Sequence, residues 1–302
     1  MPIICMTEIY YYTTSGGTGT LVGSAPAPST IYYKDVSGAM TALGAIPAPT
    51  STTPTGLDAF GVKMINPTKA GGRVFNAPLT TGATRTLGSG QRDGTTDFKP
   101  LGDGKYTITP STGELTMTGN APRAYVFDEA RTKLFENVEI TAYYKMISYT
   151  SAFASGYQGF EMAVRGQHEL AGTNARVYYT RHSLNGTWWR LKEDVHPKSY
   201  DVTVKTGVPF NTNTWYGMKM VVRSQADGSV RIQSYRDTTD GAGGGTWTLM
   251  SDFVDTNGAW AGLPVYKPST PNCGCHSSFV RTDNVTDFRV KKWSIRELDA
   301  LA

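Results

Sequence analysis

The stretch Glu139-Ile140-Thr141-Ala142-Tyr143-Tyr144-Lys145 alternates between polar and apolar side chains. Successive side chains of a β-strand point to opposite faces, so this alternation predicts a strand with one face in an apolar core. Val230-Arg231-Ile232-Gln233-Ser234-Tyr235 follows the same rule, with Val230 and Ile232 toward the core. The chain shows no internal repeat of about 20–50 residues, which disfavours a propeller or a solenoid.

Turn signals separate further strand-like segments between residues 105 and 295. Ser111-Thr112-Gly113 predicts one hairpin, and Asp227-Gly228 predicts another with a two-residue turn. The last segment changes phase, which predicts a β-bulge near Lys291-Lys292. About a dozen such strands without a convincing helix predict an all-β fold, a sandwich of two antiparallel sheets.

Composition supports β-structure and limits the choice of partner. Charged residues make up only 18% of the chain, below the usual share of about a quarter. The net charge of +4 is spread along the sequence without a block of Lys and Arg. This pattern argues against a nucleic-acid partner and permits a weak attraction to acidic glycans.

Cysteine spacing and the N-terminal sequence argue against a disulfide-stabilised fold, a signal peptide and a membrane span. The three cysteines are Cys5, Cys273 and Cys275, and an odd number does not indicate a set of disulfide bonds. We therefore expect free thiols. Residues 1–8 lack a signal-peptide pattern, and no run approaches the roughly 20 apolar residues of a membrane span. The sequence predicts a virion-surface or extracellular location.

Residues 1–56 differ in composition from the rest of the chain. They are rich in Gly, Ser, Thr, Pro and Ala, and they contain Ala25-Pro26-Ala27-Pro28 and Ile46-Pro47-Ala48-Pro49. X-Pro pairs favour extended backbone. We therefore predict an extended N-terminal arm over residues 1–56 that contacts neighbouring subunits in a homo-oligomer or larger assembly, followed by one β-sandwich domain over residues 57–302.

One block of this domain resembles a known group of proteins. Phe60-Gly61-Val62-Lys63-Met64-Ile65-Asn66-Pro67-Thr68-Lys69-Ala70-Gly71-Gly72-Arg73 is similar to the opening block of a largely uncharacterised concanavalin A-like family of archaea, bacteria and viruses. Matching blocks follow at residues 137–145, 191–200, 281–285 and 293–297. The resemblance implies a jelly roll with a concave face, related to lectins, glucanases and alginate-type polysaccharide lyases. It specifies the fold better than the function.

A polar stretch between residues 165 and 200 holds the side chains that a polysaccharide lyase needs. Such an enzyme neutralises a uronate carboxylate, removes the C5 proton with a base and protonates the leaving oxygen with an acid. The candidate catalytic residues are His168, Tyr179, Lys192, His196 and Tyr200. The candidate substrate-binding residues are Arg165, Arg181, Trp188, Trp189 and Glu193. Strand alternation predicts that His182 points away from Tyr179 and Arg181.

Departures from enzyme patterns favour binding over catalysis. Alginate-type lyases carry Arg-x-Glu-x-Arg and Gln-x-His strands, whereas this chain has neither, and Gln167-His168 lacks the intervening residue. The Glu-x-Asp-x-x-Glu strand of retaining glucanases, which sets two carboxylates about 5 Å apart, is also missing. No cofactor or metal is expected, although the acidic loop Asp237-Thr238-Thr239-Asp240-Gly241 keeps calcium open as an alternative.

Three functions fit these observations. The first is a surface or structural protein of a virus-like particle whose jelly roll binds a polysaccharide or cell-surface glycan. The second is an extracellular lyase acting on uronate-containing polymers by β-elimination. The third is a scaffold that binds only its neighbours.

Overall fold

The computed structural model of the chain describes residues 56–130, 132, 135–150, 158–167, 169, 175–194 and 199–302, together with four strands before residue 47. The chain divides into two compact units, Met1–Thr53 and Pro54–Ala302. The first unit holds an antiparallel sheet built from β1 (Ile9–Tyr12), β2 (Thr20–Leu21), β3 (Ser29–Lys34) and β4 (Met40–Ile46), in the order β2-β1-β3-β4. The boundary at residue 56 and the role of the first segment as an assembly arm stay predictions.

The second unit consists of two antiparallel sheets. One sheet contains β7 (Phe98–Leu101), β10 (Arg123–Val126), β12 (Gly159–Gly166), β13 (Val177–Ser183), β14 (Trp188–Glu193), β15 (Ser199–Lys205) and β19 (Ser277–Arg281). The other contains β5 (Val74–Asn76), β6 (Arg85–Leu87), β8 (Lys105–Thr109), β9 (Glu114–Gly119), β11 (Val138–Tyr149), β16 (Tyr216–Ser224), β17 (Val230–Asp237), β18 (Thr248–Asp255) and β20 (Val285–Glu297).

The strand order confirms the predicted jelly-roll sandwich. The seven-stranded sheet runs β15-β14-β13-β12-β19-β10-β7, and the nine-stranded sheet runs β18-β17-β16-β11-β20-β9-β8-β6 with β5 paired to β20. The chain crosses between the sheets after β6, β7, β9, β10, β11, β15, β18 and β19, so segments distant in sequence become neighbours. All described pairings within the two sheets are antiparallel.

The apolar core lies between the sheets and is centred on stacked aromatic rings. The rings of Tyr144 and Phe160 stack with centroids 4.3 Å apart, and Phe160 stacks on Phe288 at 5.7 Å. These residues come from both sheets, and each is fully buried. Burial of such large side chains is the main stabilising contribution, at about 25 cal/mol for each Å² of apolar surface removed from water.

Two local predictions are confirmed, one of them with a longer turn. β20 shifts register against β11 beside Lys292, whose φ is +49°, and this irregularity is the predicted bulge. β16 and β17 form the predicted hairpin, but Gln225 N donates to Ser229 O at 2.9 Å, so the turn exceeds two residues. Gly228 takes the left-handed φ of +82° that closes such a longer turn.

The block Phe60–Arg73 covers the outer face of the nine-stranded sheet. Beneath it, Glu139 accepts hydrogen bonds from Ile65 N at 3.0 Å and Asn66 N at 3.1 Å. Its carboxylate also pairs with Lys219 at 3.0 Å and Arg296 at 2.7 Å. All three charged side chains are buried, so the most distinctive motif of the sequence serves to anchor a covering segment.

Candidate functional site

A row of charged side chains crosses the face of the seven-stranded sheet that points away from the core. The register pairs Arg181 with Glu161, Glu161 with Arg281 and Arg281 with Arg123, across β13, β12, β19 and β10. Their neighbours along the strands, such as Met162, are buried in the core, so alternation sends these four side chains to the opposite face. We call Arg181, Glu161, Arg281 and Arg123 the arginine row.

Glu161 is the central acceptor of this row. Arg181 Nε donates to Glu161 Oε1 at 2.6 Å, and Arg281 Nη1 lies 3.9 Å from Oε2. Burial opposes ionisation of Glu161, but the charges of Arg181 and Arg281 outweigh it and hold its pKa below the usual value. A carboxylate with only 2% exposure is therefore kept charged by its two guanidinium neighbours.

Arg281 and its second partner, Asp283, lie nearer to solvent. Arg281 Nη2 donates to Asp283 Oδ1 at 2.9 Å, and the two side chains are 23% and 15% exposed. Burial raises the pKa of Asp283 even though Arg281 acts in the other direction. The row thus opens to solvent on the Arg281 side.

Arg123, at the end of the row, acts on the carboxylates of Glu161, Glu193 and Asp283 from beyond ion-pair distance and lowers their pKa values in part. It is half-buried, and its side chain forms no ion pair with any described residue. Its Nε is buried and donates to no acceptor within the described part of the chain. A half-buried guanidinium without a protein anion at ion-pair distance is costly to desolvate and is suited to a ligand that brings acceptors.

A second polar pair adjoins the arginine row. Tyr179 Oη donates to Glu193 Oε2 at 2.6 Å, and both residues are nearly buried. Burial raises the pKa of Tyr179 well above its usual value, with the charge of Glu193 adding to the effect. Burial also raises the pKa of Glu193, although the hydrogen bond from Tyr179 lowers it in part.

Four of the residues predicted for a site share this face. Tyr179, Arg181, Trp189 and Glu193 alternate with core residues on β13 and β14, and Arg181 pairs in register with Trp189. Trp189 is half-buried, and its Nε1 finds no acceptor among the described residues.

Lys192 and Trp188 point the other way, which corrects their prediction as site residues. Lys192 pairs in register with Tyr178, whose ring belongs to the core, so its side chain enters the sandwich. There Lys192 Nζ lies 2.7 Å from Asp255 Oδ2 with both side chains fully buried. Trp188 is also fully buried, and its Nε1 donates to Ser234 Oγ at 3.0 Å.

Arg165 and Tyr200 are corrected for related reasons. A register shift after Ala163 and a left-handed φ of +58° turn Arg165 into the interior. Its fully buried guanidinium donates to Glu136 O and Tyr266 O, each at 2.7 Å. Arg165 therefore holds two backbone segments together inside the protein. Tyr200 pairs in register with Lys192 and packs against the core.

The histidines divide between a confirmed prediction and an untested one. His182 is fully buried in the core, where Tyr144 Oη lies 2.5 Å from its Nδ1 and Val208 O lies 3.2 Å from its Nε2. Its predicted orientation, away from Tyr179, is confirmed. His168 and His196 lie outside the described residues, and their proposed roles stay predictions.

Sequence reasoning missed Glu161, Arg281 and Arg123, the partners of Arg181. One signal was available, because Glu161 interrupts the apolar strand Phe160–Val164 at the parity opposite to its core residues. A buried acid at that position requires a cation beside it. The identity of the cations depends on which strands flank β12.

In the acidic loop proposed for calcium, both carboxylate oxygens of Asp237 accept hydrogen bonds from groups of the protein. Asp237 Oδ1 accepts hydrogen bonds from Thr239 N at 3.0 Å and Thr246 N at 2.9 Å. Its Oδ2 accepts from Gly241 N at 3.0 Å and Tyr143 Oη at 2.9 Å. These donors orient the glycine-rich turn around Asp237. No group of three or more His, Cys, Asp or Glu side chains in the described ranges is arranged to hold a metal ion.

Comparisons with known proteins find similarity only to solved structures of low sequence identity. No protein-family model matches the sequence. No curated protein matches it either. The exoplasmic/lumenal domain of VIP36, in its Ca2+/Man-bound form, is 10% identical with a TM-score of 0.43, covering 74% of this chain and 92% of that one.

Two further solved structures are similar at the same level. A protein of unknown function with a galectin-like fold from Bacillus subtilis is 9% identical with a TM-score of 0.42, covering 72% of this chain and 98% of that one. The alginate lyase Aly36B in complex with alginate trisaccharide is 10% identical with a TM-score of 0.41, covering 74% and 98%. Within the described residues, no helix has the length and apolar character of a membrane span.

Proposed function

We propose that this chain binds a polysaccharide or cell-surface glycan on the outer face of its seven-stranded sheet. The observation that carries the proposal is the unpaired guanidinium of Arg123 beside the partly exposed Arg281. Guanidinium groups offer several N–H donors in a fixed plane, which suits the hydroxyl and carboxylate oxygens of sugars. The half-buried indole of Trp189 supplies an apolar surface on the same face.

Binding accounts for this face better than catalysis does. Of the residues predicted for elimination, Lys192 and Tyr200 are directed to the interior. Tyr179 remains near the row, but its hydroxyl already donates to Glu193. Among the described residues, Tyr179 and Arg181 support a lyase, which therefore stays the second candidate. Incubation with alginate, glucuronan and ulvan, followed by absorbance of the unsaturated product, tests it.

A glycan array with the full chain tests the binding proposal. The variant Arg123→Gln removes the unpaired charge, and we expect its glycan signal to fall about tenfold, the loss of one charged hydrogen bond. Arg231→Gln is the matched control, because Arg231 pairs with Asp252 on the nine-stranded sheet. An unchanged signal for Arg123→Gln, or an equal loss for both variants, would exclude the arginine row as the binding site.

We further propose that the protein acts outside the cell, as a surface component of a virus-like particle. The separate compact unit Met1–Thr53, with its own antiparallel sheet, is consistent with an anchoring segment. Sedimentation of the full chain and of a variant without residues 1–53 tests the anchoring role. We expect an oligomer that dissociates on deletion, and a monomer in both cases would contradict it.

A further inference from the structure

A cleft lies where one end of the seven-stranded sheet meets the edge of the nine-stranded sheet. It has a volume of about 240 Å³ and opens to solvent between β15 and the strands β17 and β18. Its lining includes Lys205, Val208, Arg236, Thr248 and Met250. Drug-sized ligands occupy roughly 300–1,000 Å³, so this cleft suits a smaller molecule.

The wall around Val208 is held in place before any ligand arrives. Val208 N donates to Gly186 O at 2.9 Å, and Val208 O lies 3.2 Å from His182 Nε2. Arg236 Nη2 donates to Pro209 O at 2.5 Å. A wall fixed by hydrogen bonds loses little conformational freedom when a ligand binds.

The opposite wall of the cleft carries the guanidinium of Arg236. Arg236 stacks its guanidinium over the ring of Tyr216 at 4.7 Å, which fixes its position. The register pairs Arg236 with Thr248, so both side chains reach the cleft from adjacent strands. Within the described part of the chain, neither Arg236 nor Lys205 forms an ion pair.

Negative charge is missing from the same lining. None of the eight described residues around the cleft is acidic. Asp237 is next to Arg236 in the chain, but its carboxylate accepts from Thr246 N and Gly241 N. Asp240 is paired with Lys291 at 2.8 Å. Two cations without a counter-charge therefore face one small cavity.

We propose that this cleft binds an oxyanion, carboxylate or sulfate, carried by a molecule of monosaccharide size. Arg236 and Lys205 contact the oxyanion, Thr238 and Thr248 offer hydroxyl groups to the sugar ring, and Met250 provides the apolar floor. The site is separate from the arginine row, and it would recognise a charged sugar whether or not that row binds a glycan.

NMR titration of the full chain with methionine methyl groups labelled tests the site directly. The Met250 signal, assigned from the Met250→Leu variant, reports on the cleft. At low salt, glucuronate and glucose 6-sulfate are expected to shift it, whereas glucose and inorganic sulfate bind more weakly. Lys205→Gln is expected to weaken glucuronate binding about fivefold, as for one partly exposed ion pair.

Two variants serve as controls. Lys105→Gln removes an exposed lysine on β8, near the opposite edge of the nine-stranded sheet, and should bind glucuronate unchanged. Arg123→Gln should also leave the Met250 shift unchanged, since it alters only the arginine row. Equal binding of glucose and glucuronate, undiminished glucuronate binding by Lys205→Gln, or binding of inorganic sulfate as tight as that of glucose 6-sulfate would overturn the proposal.

Discussion

Lys192 and Asp255 form an ion pair at 2.7 Å in which both side chains are fully buried between the sheets. Tyr178 Oη donates to the same Asp255 oxygen at 2.5 Å. Burial lowers the pKa of Lys192, and the hydrogen bond to Asp255 acts against this loss of charge. A lysine that the sequence suggested for catalysis is thus committed to the interior of the fold.

Removal of one partner of this pair is expected to destabilise the protein strongly. Lys192→Met leaves the Asp255 carboxylate buried without its cation, a loss of about 3–5 kcal/mol in the free energy of unfolding. The double variant Lys192→Met, Asp255→Leu should lose less than the sum of the two single variants. Urea unfolding of all four proteins measures this coupling, and additive losses would contradict it.

His182 is expected to make the protein sensitive to mild acid. Burial, the largest influence, lowers its pKa from 6.5 to about 3. Below pH 6.5 the imidazole of His182 therefore binds a proton in the unfolded chain but stays neutral in the folded chain. Stability is lost as the pH falls from 6.5 to 3. Between pH 7 and pH 5 the loss attributable to His182 should be about 2 kcal/mol.

Unfolding of His182→Gln across this pH range measures the contribution. The variant should be less stable at pH 7, because Tyr144 loses its partner, and its stability should depend less on pH. Thr86→Val, which alters an exposed side chain that does not titrate, should retain the wild-type dependence. The same slope in wild type and His182→Gln would show that another group is responsible.

Glu139 is expected to control the segment Phe60–Arg73. Glu139→Gln leaves Lys219 and Arg296 buried without their shared anion, which should destabilise the protein by about 3 kcal/mol. The amides of Ile65 and Asn66, which bond to this carboxylate, should exchange with solvent faster than in the wild type. Hydrogen exchange measures both amides.

A matched exchange experiment separates this local effect from general loss of stability. Glu129→Gln alters a surface carboxylate that is 43% exposed and pairs with Lys99, so exchange in the covering segment should not change. Protection of Ile65 and Asn66 that survives in Glu139→Gln would contradict the anchoring role.

Tyr179 is expected to tune the acidity of Glu193. Burial raises the pKa of Glu193, and the hydrogen bond from Tyr179 lowers it. Tyr179→Phe removes that bond, so the midpoint of the Glu193 titration should move to higher pH. Carboxyl-detected NMR measures the midpoint. The Glu297 titration serves as an internal control, and a downward shift at Glu193 would contradict the geometry.

Local pattern was sufficient for the strands and for several turns. The alternation along Glu139–Lys145 and the phase change at Lys291-Lys292 predicted β11 and the bulge in β20, because the period-two rule acts within one strand. The same rule placed His182 opposite Tyr179. It failed at Arg165, since a left-handed residue and a register shift reverse the side-chain direction.

Sequence by itself determined that this chain forms antiparallel layers around an apolar interior, because periodicity and turn residues are local properties. Tertiary structure alone decided that Arg181, Glu161, Arg281 and Arg123 stand side by side, since β10, β12 and β19 are separated in sequence and become neighbours only through crossovers between the sheets. It also decided which polar side chains face solvent. Pairing across strands sets the direction and the electrostatic neighbours of each side chain, and neither is encoded within a single segment.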